Sequence, residues 1–554
     1  MAELSRDEYR RRYGATTGDL IRLGDTDLRV RVEADDVGYG DEPIWGYAKN
    51  LRSRMTQFDR ATAESELDML LAGVVVIDPI LGVRKTNVGL KDGRIAGVGR
   101  AGSPDITDGV DLVIGPNTFP INAYGLIATA GAIDSHVHLL TPALVPAALA
   151  AGVTTLITAG FEEPPHTMDK TFRAFEGLPV NLGLQASART DVPGHVERVL
   201  EAGACGLKIH EDWGAYPEIV DATLQLAEAN DVAVCLHTDG LNESCELEDT
   251  VAAIDGRAVH AYHVEGVGGG HVPDLIAIVR EPNVICSSTT PTIPYGRATG
   301  AEHLEMILAV HGGSADVIED VEAARERIHP ATMAAEGPLH DLGAISIVNS
   351  DSQGMGRIGE TIRRTFQLAH VMKASADPGA DHDNDRVLRY LAKVTIEPAR
   401  THGVEREVGS LTPGRLADVV LWRPSHVGVK PELVLKSGHP AWGAIGQGNA
   451  TVEAVEPRRY GPHWGALGSA PAALSTTFVS KVALEGGIRE RLGSSRRFVA
   501  VDGTRAVRRA SLERNTAVVP IEVDPSDGTV TLDGETLAVE PADEVPLSRR
   551  YLLG

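Results

Sequence analysis

Cysteine is scarce: Cys205, Cys235, Cys245 and Cys286 are the only thiols in 554 residues. None is spaced as CxxC, so neither a disulfide framework nor a cysteine-built metal knuckle is expected. Three lie in or beside apolar runs and read as small buried hydrophobes. Positive charge is also short. Lys and Arg number 52 against 77 Asp and Glu, a net charge of −25. Phosphate backbones need clustered cations, so no nucleic-acid partner is expected. No uninterrupted apolar stretch reaches the roughly 20 residues that cross a bilayer, so no membrane association is expected either. The first residues, Met1 to Asp7, lack an apolar core of the signal-peptide kind. The expected location is the cytoplasm. Repeats of solenoid period and long low-complexity segments are missing too. What is present is ordinary for a globular chain, with 43% hydrophobic residues. The length exceeds one small core and points to a large barrel with appended units.

The rhythm of the chain changes twice. Residues 1–128 read as short strands and turns, including a hairpin at 87–99 with Asp92-Gly93 at its tip. From 129 to 404, apolar runs alternate with segments of helical period. The runs fall at 126–138, 154–159, 180–186, 204–210, 233–238, 259–264, 283–288 and 345–351. Eight strands alternating with helices predict an α/β fold, a (β/α)8 barrel. Helices are expected at 144–151, 195–202, 218–229 and 301–310. After 405 short strands return. Segments 1–128 and 405–480 are expected to pair into one composite β domain around the barrel, with 481–554 as a mixed C-terminal region.

Polar residues mark the C-terminal ends of these strands: His136 and His138 on the first, Lys208 and His210 on the fourth, His237 on the fifth, His263 on the sixth and Asp351 on the eighth. Residues i and i+2 of a strand share a face, so His136 and His138 can share one ion. Barrel enzymes build their sites at this rim. Any one of these histidines alone reads more simply as a hydrogen-bonded structural residue. Five imidazoles and a carboxylate meeting at strand ends point instead to a hydrolytic metal centre. Lys208 is the odd member, because a protonated amine repels cations and has no lone pair to give. It either forms a salt bridge with an acid, or its neutral amine takes up CO2 and becomes a carbamate whose two oxygens bridge two metals.

The stretch Gly203-Ala204-Cys205-Gly206-Leu207-Lys208-Ile209-His210-Glu211-Asp212-Trp213-Gly214 resembles the carbamylated-lysine motif of the urease alpha (catalytic) subunit, within the amidohydrolase superfamily. The segments 237–244, 262–271, 350–357 and 428–431 resemble the same family, and the similarity runs from Ile21 to Asp543. The resemblance implies two nickel ions bridged by carbamylated Lys208. His237 and His263 complete one site; His136, His138 and Asp351 complete the other. Zinc, manganese or iron suit the same ligands. It further implies that His210 hydrogen-bonds the substrate carbonyl and that Gly268 and Gly354 line the substrate. His311 is then the mobile-flap general acid, Asp212 its acidic partner and Arg327 the flap arginine. The implied reaction is hydrolysis of the C–N bond of urea, a small-molecule substrate, with release of ammonia. Metal-activated hydroxide attacks the carbonyl and His311 protonates the leaving nitrogen. The implied partners are urease beta and gamma subunits in a trimeric assembly, and accessory proteins that deliver nickel.

Departures from the family pattern cluster near the substrate. Val310 replaces the flap cysteine, and Gly312 replaces the next histidine. The segment after the second strand, 160–170, is shorter than the family's Gly- and Thr-rich loop. Gly354 stands for an alanine, and Asn349 for a small hydroxyl residue. They leave open an alternative substrate, a bulkier substituted urea, guanidine or amide, handled by the same hydrolytic engine.

Overall fold

The computed structural model describes residues 4–46, 50–160, 164–210, 214–237, 246–266, 273–446 and 458–548. Its centre is a parallel barrel. The strands are β1 (Ala132–Val137), β2 (Val153–Thr158), β3 (two pieces, Asn181–Gly183 and Gln185–Ser187), β4 (Gly206–Ile209), β5 (Ala233–Leu236), β6 (Val259–Ala261), β7 (Val284–Thr289) and β8 (Ile347–Asn349). Each pairs in parallel with the next. The ring closes through a parallel bridge between Val137 and Ser352, with His138 N donating to the Ser352 carbonyl at 2.9 Å. The strands are buried almost throughout because both faces are covered. Helices return the chain at Leu144–Ala150, His195–Ala202, Pro217–Asn230 and Thr299–Val310, close to the positions their periodicity marks.

The flanks form a ten-stranded sheet. Its long strands are Met69–Asp78 and Gly82–Lys91, and Arg94–Gly99 completes a hairpin whose turn residues Asp92 and Gly93 both have positive φ. This is the geometry that an Asp-Gly turn supplies without strain. From the other flank come Val419–Trp422, Leu433–Lys436, His439–Ile445 and Arg459–Pro462. The two flanks meet where Ile127–Ala130 pairs with Met69–Asp78 on one side and Val419–Trp422 on the other. One strand of the 405–480 flank goes elsewhere: Thr476–Val479 extends the barrel sheet, pairing with β3 and with Arg497–Ala500.

The apolar run at 126–138, which reads as one strand, is two. It breaks at Gly131, leaving Ile127–Ala130 in the flank sheet and Ala132–Val137 in the barrel. A Cβ at Gly131 would sit 2.1 Å from Thr154 Oγ1 on β2, so only glycine lets the two sheets approach this closely. A buried ion pair holds the seam. Asp418 accepts from Lys436 Nζ, from Asn181 Nδ2 of β3 at 2.7 Å and from Ser437 N at 2.9 Å. Among the described residues no helix is long and apolar enough to cross a membrane.

Candidate metal centre

The C-terminal ends of β1, β6 and β8 bring three imidazoles onto one carboxylate. Asp351 Oδ1 lies 3.3 Å from His136 Nε2 and 3.1 Å from His138 Nε2, and its Oδ2 lies 3.8 Å from His263 Nε2. His237 continues the cluster, its ring 4.8 Å from that of His263 and 4.3 Å from that of His210. Lys208, from β4, reaches beneath them with Nζ 3.9 Å from the centre of the Tyr262 ring. Tyr262 stacks in turn on His136 at 4.1 Å. The sequence-derived ligands are therefore gathered in one rim, buried except for the part-exposed His138.

Backbone conformation contributes to the placement. His263 and Asp351 each follow the end of a strand with φ of +50° and +53°. Left-handed conformations cost a non-glycine residue roughly 1–2 kcal/mol. Two such residues meeting at one carboxylate mark a site where side-chain direction outweighs local comfort. Gly160 ends β2 at φ +73°, and a Cβ there would lie 2.6 Å from Lys208 Cβ. Its missing side chain is what admits the lysine.

Burial decides the protonation states. It holds the His136 and His237 imidazoles well below their usual range, with the charges of Lys208 and of neighbouring histidines acting in the same direction. Burial brings His263 down to about 4 against the opposing pull of Asp351, and His210 down to about 2. For Asp351, burial acts upward, but the hydrogen bond and charge of His138 and the charge of His263 outweigh it and hold the carboxyl low. At neutral pH His136, His237, His263 and His210 therefore offer imidazole lone pairs beside the Asp351 carboxylate. That donor set fits divalent borderline cations.

His311 closes the helix Thr299–Val310. Its Nδ1–H donates to the Ile307 carbonyl at 2.8 Å, and Arg327 Nη1 donates to its Nε2 at 3.2 Å. Arginine only donates, so the imidazole is neutral here and Nε2 is occupied as an acceptor. Neighbouring Val310 is exposed. Gly354 sits against the rim, where a Cβ would lie 2.5 Å from Asp351 Oδ1. Asn349 is buried and donates from Nδ2 to Ser287 Oγ on β7 at 3.1 Å. Residues 161–163 after β2 lie outside the described residues; beyond them Pro165–Ala174 is a helix with proline in its first turn. Asp212 and Gly268 lie outside the described residues.

Three supporting residues escaped the sequence reading. Asp134 Oδ1 accepts from Ser350 N at 3.0 Å and from His136 N at 3.3 Å, and its Oδ2 accepts from Thr361 Oγ1 at 2.9 Å. It ties β1 to the start of the Asp351 turn, and burial pushes its carboxyl up to about 6. Tyr262 donates to the Ser135 carbonyl at 2.7 Å and accepts from Gln185 Nε2 at 3.1 Å, fixing the floor of the site. An acid inside an apolar run was the available signal for Asp134. Tyr262 and Gln185 carried none, because a buried strand tyrosine or glutamine is ordinary.

The amidohydrolase family model matches residues 127–440, and the model of the urease alpha-subunit N-terminal domain matches residues 2–121. The chain is 48% identical over 553 residues to urease subunit alpha 1 of Streptomyces avermitilis, covering 98% of this chain and 99% of that protein. It is 46% identical over 567 residues to urease subunit alpha of Haloquadratum walsbyi, covering all of both. The solved D-hydantoinase (dihydropyrimidinase) from a Thermus species shares the fold, with a TM-score of 0.50 at 15% identity over 67% of this chain and 95% of that one. With near-complete coverage at this identity, and with its barrel rim carrying the imidazoles, lysine and carboxylate described above, the chain belongs to the urease alpha-subunit family.

Proposed function

We propose that this chain is the catalytic subunit of a urease, hydrolysing the C–N bond of urea at a dinuclear metal centre on the barrel rim. The observation that carries the reading is the convergence of His136, His138 and His263 on Asp351, above Lys208, in a chain so similar to urease alpha subunits over its whole length. The bulkier-substrate alternative is not favoured by that similarity.

His136, His138 and Asp351 would hold one cation, His237 and His263 the other, with Lys208, carboxylated on Nζ, bridging them. The cations we assign are nickel. When bound, they supply Lewis-acid polarisation of the urea carbonyl and a strong nucleophile at neutral pH. The chain supplies the rest. His210 is neutral at working pH, so its N–H orients the carbonyl by a hydrogen bond without adding charge. Tyr262 and Asp134 fix the rings and turn that set ligand spacing. His311 delivers the proton that the departing nitrogen needs, since an unprotonated amide nitrogen leaves poorly. In the present arrangement Arg327 occupies His311 Nε2. Proton delivery therefore requires the two to part, and Gly312 and Gly313 beside His311 give the backbone the freedom to do so. Asp212 partners His311, and Gly268 and Gly354 face the substrate.

We assign partner beta and gamma subunits in a trimeric assembly and nickel-delivery accessory proteins; the relatives' name, urease subunit alpha, supports an assembly with other subunits. A cytoplasmic location is part of the proposal, and the buried thiols Cys235 and Cys286, outside any disulfide, suit a reducing compartment. The single sheet drawn from both flanks supports a composite β unit of 1–128 and 405–480, apart from its last strand, around a 129–404 barrel, with 481–554 as a mixed C-terminal region. The test is ammonia release from urea by the assembled protein loaded with nickel and bicarbonate. Absence of turnover in protein shown by elemental analysis to hold two nickel ions per chain would refute the assignment.

A further inference from the structure

We propose that Cys235, His260 and His402 form a second, independent cation site inside the barrel, selective for a thiophilic or borderline ion such as zinc. Cys235 on β5 and His260 on β6 are register partners. The Cys235 Sγ lies 3.9 Å from His260 Nδ1, and His260 Nδ1 lies 3.2 Å from His402 Nε2. All three ligand atoms fall within 4.8 Å of one another, and all three residues are buried.

The spacing suits a metal. With Zn–N near 2.0 Å and Zn–S near 2.3 Å, tetrahedral geometry separates two nitrogens by about 3.3 Å and a sulfur from a nitrogen by about 3.5 Å. The Sγ–Nδ1 and Nδ1–Nε2 separations of 3.9 and 3.2 Å need to adjust by only a few tenths of an ångström, and Cys235 Sγ lies within 4.8 Å of His402 Nε2. A plain hydrogen bond between the two imidazoles explains the cluster less well, because His260 Nδ1 faces both His402 Nε2 and Cys235 Sγ and has one lone pair or one proton to share between them. Coordination through Nδ1 fixes the proton on Nε2, and His260 lines, with Thr401, a cavity of about 10 Å³, the size of one water molecule. This second site is a mixed sulfur–nitrogen set, softer than the rim, whose described ligands are imidazole and carboxylate.

It is also separate in space and in access. Tyr262 stands between the two sites, its ring 4.5 Å from His260 on one side and 4.1 Å from His136 on the other. The cavity beside His260 is lined by Ala233 and Ala258 at the N-terminal ends of β5 and β6, and by Thr504 and Arg505. An ion enters from the end of the barrel opposite the catalytic rim. Arg505 lines the same cavity, with its Nε engaged by Glu228 at 3.1 Å. Once bound, the ion ties His402, which caps the helix Ile396–Thr401, to two barrel strands. The thiol proton leaves to solvent as the Cys235–metal bond forms.

The test uses the full-length chain with Cys245→Ala, treated with chelator and titrated with cadmium. One ultraviolet thiolate-to-cadmium charge-transfer transition per chain is expected. It should survive the double substitution His136→Ala, His138→Ala and disappear in Cys235→Ala. No such transition at stoichiometric cadmium, or one that persists in Cys235→Ala, overturns the proposal. A readout that needs no variant at Cys235 is zinc-edge X-ray absorption of the zinc-loaded Cys245→Ala chain. A sulfur neighbour at about 2.3 Å supports the site, and a shell of nitrogen and oxygen alone refutes it.

Discussion

Replacing Tyr262 by phenylalanine separates the two tasks of the floor residue. The phenol hydroxyl donates to the Ser135 carbonyl at 2.7 Å and accepts from Gln185 Nε2 at 3.1 Å, with no exposure to solvent. Phenylalanine keeps the ring, and so keeps the stack on His136 and the face beneath Lys208. What it removes is two hydrogen bonds, leaving a buried carbonyl and a buried amide without those partners. Each such group costs about 1–3 kcal/mol, so the two together cost roughly 2–6 kcal/mol. For a unit of barrel size, about 2–4 °C per kcal/mol turns this into a fall in Tm on the order of 5–20 °C. Metal content should stay near that of the parent, because the ring that supports His136 and Lys208 remains. Tyr262→Ala deletes the ring as well and should lower metal content along with Tm. Calorimetry and elemental analysis on the same preparations make the comparison. A phenylalanine variant with unchanged Tm, or one that loses metal as completely as the alanine variant, would refute this division of labour.

Other outcomes follow from the same geometry. Asp351→Ala and His263→Ala should each reduce bound nickel below two per chain, read by elemental analysis of purified protein. Arg327→Gln should lower kcat by roughly 10²-fold with a smaller change in KM, and should move one limb of the pH–rate profile, since the residue acts on the protonation of His311. Asp134 gives a stability effect of defined sign. Its carboxyl titrates near 6 when folded and near 3.8 when unfolded. The folded chain binds more proton between these values, so this residue's contribution is full below 3.8 and is lost as pH rises through 6, by up to ~3 kcal/mol. Asp134→Asn should therefore gain on the parent protein across that window in guanidinium denaturation, and a constant difference at all pH values would contradict the assignment.

The barrel and its rim were legible because they rest on strong local signals. Alternating apolar runs and helical segments locate the strands, and a polar residue at the end of an apolar strand is conspicuous. The break at Gly131 was not legible, because both halves are apolar. The residue that forces it is read from the Thr154 hydroxyl on another strand. The diversion of Thr476–Val479 to the barrel edge was hidden for a similar reason. An apolar strand does not record which sheet it will join. Within the site, ligand identities were visible while their supports were not. The left-handed backbone at His263 and Asp351 goes against residue preference, and tertiary contacts alone select it. The Cys235–His260–His402 cluster draws on residues that look like core filler in the sequence. His402 meets the other two only because the helix Ile396–Thr401 ends beside the barrel.

The junction at Gly131 also sets an order of events during synthesis. The strand that leads into His136 is flanked by Val419–Trp422, through pairings such as Ile127 with Trp422, roughly 300 residues apart. At ribosomal rates of about 5–20 residues per second, the partner strand appears some 15–60 s after the strand it must anchor. Asp351 emerges well before that anchor. The nascent chain therefore carries all the described rim residues for part of this interval while the strand beneath His136 still lacks one neighbour. Metal delivered in that interval meets a loosely held ligand set, whereas metal delivered after release meets a rim already braced from below.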